Sequence, residues 1–200
     1  MSLILASGSP RRADLLKQAG LSFTISEPGI DEHLSFMKKP GLMVEDLARE
    51  KALATTGRFK SGFVLAADTL VILEGLYLGK PVDEDDARRM LFMLSGKVHE
   101  VFTGLALLNV ASGKMITNYA KTKVWMKLLE EEQVERYLKT GEPFDKAGAY
   151  GIQGRGAMFI DKIEGCYFNV VGLPLSLLYE MLKEMKVPTW ITTKESGHEK

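Results

Sequence analysis

Phe63-Val64-Leu65-Ala66-Ala67-Asp68-Thr69 is the stretch on which the architecture turns. Five apolar residues in an unbroken run mark a strand buried on both faces, and a carboxylate stands directly at its end. Strand character resumes over Leu70 to Leu73, turns at Glu74-Gly75, and a hairpin closes through Leu76 to Leu78 and Gly79-Lys80-Pro81. Upstream, Leu3 to Ala6 is a short buried strand and Ser7-Gly8-Ser9-Pro10 a turn. Arg11 to Ala19 follows with helical spacing at Leu15, Leu16 and Ala19, stopped at Gly20. Ser9 and Pro10 are the expected cap and first helical residue. Leu21 to Ser26 is a second strand, Pro28 to Pro40 is irregular, and Val44 to Thr56 is an amphipathic helix. Downstream, Asp83 to Leu94 is a helix opened by acidic residues. Val98 to Val110 and Met115 to Leu128 are two long strands joined at Ala111-Ser112-Gly113, a meander rather than a βαβ crossover. A helix over Glu130 to Leu138, a glycine-rich loop and strands at Met158 to Ile163 and Tyr167 to Val171 precede a last helix, Pro174 to Met185. The pattern predicts a mixed α/β fold: a largely antiparallel, twisted sheet with flanking helices and two lobes around a cleft. Residues 1–187 read as one domain and 188–200 as a polar C-terminal tail.

With 46% hydrophobic and 26% charged residues over 200 positions, the chain reads as soluble and globular. Basic and acidic residues number 26 each, so the basic excess of a duplex-binding protein is absent. No nucleic-acid partner is expected, while a small polyanionic ligand remains open. A lone cysteine, Cys166, excludes an internal disulfide framework and a zinc site built mainly from thiolates. His33, His99 and His198 are scattered, so a bound metal would be a hard ion held by carboxylates. No run approaches the ~18 apolar residues of a membrane span. Arg11-Arg12 follows the short apolar start, the reverse of a secretory signal, so the cytoplasm is the expected setting, with no membrane.

Four segments carry candidate chemistry. In Ser7-Gly8-Ser9-Pro10-Arg11-Arg12, small residues let a ligand approach the backbone of a helix start whose N–H groups favour anions. Two arginines in a first helical turn oppose the helix dipole, which suggests an incoming anion; a capped helix with solvated arginines is the plainer reading. Asp68 can hold a divalent ion or accept a proton from water, or merely cap the next turn. Lys80, after a hairpin turn, is by itself an ordinary surface lysine. The loop Asp145-Lys146-Ala147-Gly148-Ala149-Tyr150-Gly151-Ile152-Gln153-Gly154 is richer in polar reach than a connection requires, although a purely structural loop fits its composition too. Cys166 reads as a small buried residue, His99 belongs to no triad, and Met90, Met93, Met181 and Met185 have the spacing of core residues.

Taken in order, Leu5-Ala6-Ser7-Gly8-Ser9-Pro10-Arg11-Arg12, Arg49-Glu50-Lys51-Ala52, Ala67-Asp68-Thr69, Gly79-Lys80-Pro81, Leu94-Ser95-Gly96, Thr103-Gly104, the Asp145–Gly154 loop and Val171-Gly172-Leu173-Pro174 resemble the Maf family of nucleoside triphosphate pyrophosphatases. The resemblance is collinear from Leu3 to about Leu182. It implies the inosine-triphosphate-pyrophosphatase-like (Maf/Ham1) fold, a divalent metal (Mg²⁺ or Mn²⁺, with Co²⁺ an alternative), and a nucleoside triphosphate substrate. The Gln153 loop is similar to that of the branch acting on dTTP and UTP. Ordinary and 5-substituted pyrimidines are not separated by it. The resemblance further implies Asp68 as the catalytic proton acceptor and Arg12, Thr69 and Gln153 as determinants of base choice. Ser7, Ser9, Arg11, Lys51, Lys80 and Lys146 would bind phosphate, and Glu32, Asp68 and Asp145 the metal, with Asp31 a rival to Glu32. It also suggests a homodimer. The alternative it brings is a nucleotide-binding regulator of septum formation with little turnover.

Overall fold

The computed structural model describes residues 2–30 and 39–192. Its strands are β1 (Leu3–Ala6), β2 (Phe23–Ile25), β3 (Phe63–Leu73), β4 (Leu76–Leu78), β5 (Val98–Asn109), β6 (Met115–Met126) and β7 (Ile160–Glu164). Its helices are α1 (Pro10–Gln18), α2 (Pro40–Thr56), α3 (Glu84–Leu94), α4 (Glu131–Leu138), α5 (Tyr167–Val171) and α6 (Leu175–Glu184). Among the described residues the strands form one seven-stranded sheet in the order β2-β1-β3-β5-β6-β7, with β4 also on β3. Only the β1–β2 and β1–β3 pairings are parallel; the rest are antiparallel. The expected mixed, mostly antiparallel sheet with flanking helices is the fold observed.

The alternation of side chains along β3 and β5 sorts the core. On one face Leu65, Ala67, Leu105 and Leu107 pack with α1 and α6. Val71, Leu73 and Val101 on the same face pack with α3 and α4. On the other face Val64, Ala66 and Ala106 meet Ala48 and Ala52 of α2, while Leu70, Ile72 and Phe102 meet Met43, Val44 and Leu47. Between these apolar halves lie two adjacent polar rungs. Asp68 pairs with Gly104 and points to the α2 face; Thr69 pairs with Thr103 and points to the opposite face.

Gly104 lets α2 cross the sheet at the Asp68–Gly104 rung. A Cβ there would stand 2.2 Å from the Val44 carbonyl oxygen, a backbone atom that no rotamer change can move.

Three local readings need correction. Tyr167–Val171 is a helix, not a strand. The β-branched pair Val170-Val171 suggests a strand, but buried Asn169 settles the matter by donating to Val101 O at 3.0 Å and Thr122 Oγ1 at 2.9 Å, which requires α5 to sit against β5 and β6. Asp68 lies inside an unbroken β3 rather than at a strand end, because β5 pairs with β3 without interruption from Phe63 to Ile72. Met158 and Phe159 belong to a 3-10 segment, Gly154–Phe159, that precedes β7. Residues 188–192, read as the start of the tail, turn back so that Trp190 Nε1–H donates to Ala19 O at 2.9 Å.

Candidate functional site

Only the β5 side of β3 is fully paired. Its other edge is covered by β1 as far as Ala66 and by β4 from Val71 onward, so residues 67–70 open sideways between the two. β1 ends at the same point, and its exit loop, Ser7-Gly8-Ser9, passes into α1 beside the opening. A cleft of about 620 Å³ occupies the gap. Ser7, Ser9, Arg11, Arg12, Lys51, Asp68, Thr69, Lys80, Asp145, Lys146 and Gln153 all line it, although they come from five separate segments of chain. Glu32 and its rival Asp31 lie outside the described residues.

Asp68 is 4% exposed, and Lys51 of α2, itself buried, donates to its Oδ1 at 2.5 Å. Burial strengthens such a pair by lowering the local dielectric but charges both groups for lost hydration. Arg12 is held by three contacts: Nε to Gly172 O at 2.9 Å, Nη1 to Ser7 Oγ at 3.1 Å and Nη2 to Thr69 Oγ1 at 3.2 Å. Arg11 reaches across the cleft, donating to Asp145 Oδ2 at 2.5 Å and Asp145 O at 3.2 Å. Lys146 Nζ also donates to Asp145, at 2.7 Å. Burial alone would raise the Asp145 carboxyl; hydrogen bonds from Lys146 and Arg11, with their charges, bring it below the ordinary carboxylate range.

Ser9 occupies the cap position as expected, but its side chain makes no cap hydrogen bond; its N–H instead turns to Ser7 Oγ at 3.2 Å. Ser9, Pro10, Arg11 and Arg12 at the start of α1 line the cleft, and a helix start favours an anion.

The Gln153 loop is pinned from below by a carboxylate that the sequence reading passed over. Glu142 accepts from the N–H groups of Arg155 at 3.0 Å and Gly156 at 3.1 Å and from Tyr137 Oη at 2.9 Å. Tyr137 Oη accepts in turn from Gly151 N at 3.2 Å. Burial opposes the Glu142 charge, yet the two N–H groups and the hydroxyl hold its carboxyl below the usual range. Gly154, at φ 74° and with its Cβ position 2.8 Å from that carboxylate, is a place only glycine fits. Glu27 is a cleft residue not anticipated, its carboxylate lying over Gly8. No spacing rule marks either glutamate, because each acts on a segment distant in sequence or joined only by the turn.

His99 is buried with Nε2 2.7 Å from Tyr150 Oη, and desolvation pushes its pKa down to about 4. The unfolded chain binds this proton near pH 6.5, so the contribution to stability is whole above that value and is lost as pH falls toward 4. Denaturation midpoints followed from pH 7 to 4 should lose about 3 kcal/mol from this group. The slope between pH 6.5 and 5 should flatten in His99→Gln; an equal slope would remove His99 as its source.

Among the described residues no three His, Cys, Asp or Glu side chains gather into a metal cage. The cleft nonetheless presents the carboxylates of Asp68, Asp145 and Glu27, oxygen donors of the type a hard divalent ion takes. Magnesium commonly uses only one or two protein carboxylates, completing its shell with water and substrate phosphates. This donor set fits an ion shared with a polyphosphate. Also among the described residues, no helix is long and apolar enough to cross a membrane.

A family model described as "Maf-like protein" matches residues 2–185. A "dTTP/UTP pyrophosphatase" of Pelotomaculum thermopropionicum is 51% identical over 182 residues, 91% of this chain and 95% of that protein. Proteins of the same description from Moorella thermoacetica and Clostridioides difficile are 49% and 46% identical, covering 94% and 92% of this chain and 97% and 95% of their own.

Proposed function

This chain belongs to the Maf family, and on that premise we propose that it hydrolyses dTTP and UTP to the monophosphate and pyrophosphate. The observation that carries the reading is the convergence of Arg11, Arg12, Lys51, Lys80 and Lys146 on the cleft that holds the buried carboxylate of Asp68. Cleaving the α–β bond builds negative charge on departing pyrophosphate. Fixed guanidinium and ammonium groups stabilise that charge with little reorganisation. Ser7, Ser9 and the first turn of α1 offer hydroxyl and backbone donors to the phosphates. Asp68 accepts the proton of the attacking water, and Lys51 holds its carboxylate in place. Arg11 leaves Asp145 for phosphate when the tail enters. A divalent ion, magnesium or manganese, would be held by Asp68 and Asp145 together with Glu32 or Glu27; when bound it neutralises phosphate charge.

Thr69 and Gln153 meet the polar edge of the pyrimidine. A site that hydrogen-bonds one base edge rejects another because its polar groups are then left unpaired. Gln153→Ala is therefore expected to relax the preference for UTP over CTP more than it slows turnover of UTP. A preference unchanged in that variant would remove Gln153 from base recognition.

The reaction is tested by incubating the protein with Mg²⁺ and each ordinary and 5-substituted triphosphate in ¹⁸O water. Pyrophosphate release with ¹⁸O in the monophosphate is expected; orthophosphate as the product would refute the reaction. The proposed setting is the cytoplasm, where these triphosphates are made. A homodimer is proposed with it, and light scattering at the monomer mass would dismiss that assembly.

A further inference from the structure

We infer that Thr103, buried behind the cleft wall, sets the base preference by leaving the Thr69 hydroxyl able only to accept. This inference rests on the reading that the pyrimidine edge lies at Thr69.

A threonine hydroxyl has one hydrogen and two lone pairs. Thr103 Oγ1 lies 2.9 Å from the Asn169 carbonyl oxygen, which can only accept, so the single Thr103 hydrogen is committed there. At the 3.0 Å contact between Thr69 Oγ1 and Thr103 Oγ1, Thr103 must then accept and Thr69 must donate. That commits the Thr69 hydrogen in its turn. One Thr69 lone pair takes the Arg12 Nη2–H at 3.2 Å. What Thr69 offers a ligand is its remaining lone pair.

Uracil and thymine carry N3–H between two carbonyls, and that hydrogen meets the lone pair. Cytosine carries a bare N3 there, so two lone pairs would face one another. The relay from Asn169 through Thr103 to Thr69 thus imposes a polarity that Thr69 alone, with a freely turning hydroxyl, would lack. Thr103 is 0% exposed, so it acts as a positioning residue and does not meet the base.

Thr103→Val keeps the shape of the side chain and releases the Thr69 hydrogen. The ratio of kcat/KM for UTP to that for CTP should fall ~10-fold, the worth of one hydrogen bond to the wrong partner. Thr103→Ser, which keeps both hydrogen bonds, should retain the ratio of the unaltered protein. A merely structural role would lower both substrates alike, so an unchanged ratio in Thr103→Val overturns the inference. The unaltered protein provides a second measurement that needs no folded variant. 3-Deaza-UTP, with C–H in place of N3–H and a 4-hydroxyl in place of the 4-carbonyl, should show kcat/KM at least ~10-fold below UTP, and parity would equally overturn it. Absence of any UTP-over-CTP preference in the unaltered protein would instead sink the assignment of the base edge to Thr69 and Gln153. A preference that survives Thr103→Val sinks only the relay.

Discussion

Asp68→Asn should lose at least ~100-fold in turnover while substrate still binds, the usual scale of a positioned general base. The substitution preserves shape and hydrogen-bonding reach but leaves an amide that takes no proton from water. Its complication is Lys51. The ammonium is buried against Asp68 at 2.5 Å, and removing one member of a buried pair commonly costs ~3–5 kcal/mol. Lost turnover and lost stability must therefore be separated. The double variant Asp68→Asn/Lys51→Met removes both charges and should recover much of the stability without recovering turnover. Single-turnover rates at saturating dTTP, with urea denaturation of each variant, check both halves. Turnover near that of the unaltered protein in Asp68→Asn would withdraw its catalytic role.

Gly104→Ala should be the most damaging glycine-to-alanine change among the described residues. Overpacking a tight interior commonly costs ~1–3 kcal/mol because side chains yield. Here the added carbon would lie 2.2 Å from Val44 O and 2.6 Å from Glu45 N, so α2 itself must move. We expect a loss of ~3 kcal/mol or more, about 6–12 °C in Tm for a domain this size. Activity should fall with it, because Lys51 rides on α2 and meets Asp68, the residue directly opposite Gly104 in the ladder. A calorimetric scan within 2 °C of the unaltered protein would contradict the account of this crossing.

Much of this was legible in one dimension. The apolar run before Asp68, the long meander and the periodic helices declared a mixed sheet with helices on its faces, because burial patterning is local and repeats at fixed periods. The motifs of the Ser7–Arg12 turn and the Gln153 loop declared which residues to watch. Less legible were residues whose partners lie far along the chain. Tyr167–Val171 reads as strand by propensity, yet Asn169 makes it helix through bonds to β5 and β6. Glu142 looks like any loop glutamate until its three donors are seen beneath the Gln153 loop.

From its residues alone the chain declared its class of fold and marked the Ser7–Arg12 turn and Asp68 as candidates for anion binding and proton transfer, since each is stated by neighbours within a few positions. The folded molecule added how those pieces meet. β1 stops at Ala66 while β3 continues, so the cleft opens beside Asp68. Arg11 joins Asp145, Lys51 joins Asp68, and two threonines on adjacent strands share a fixed direction of proton donation. Such contacts join segments as much as 160 residues apart, as Arg12 and Gly172 do. Charge and hydrogen bonding act over a few ångströms of space, and sequence order carries no measure of that distance.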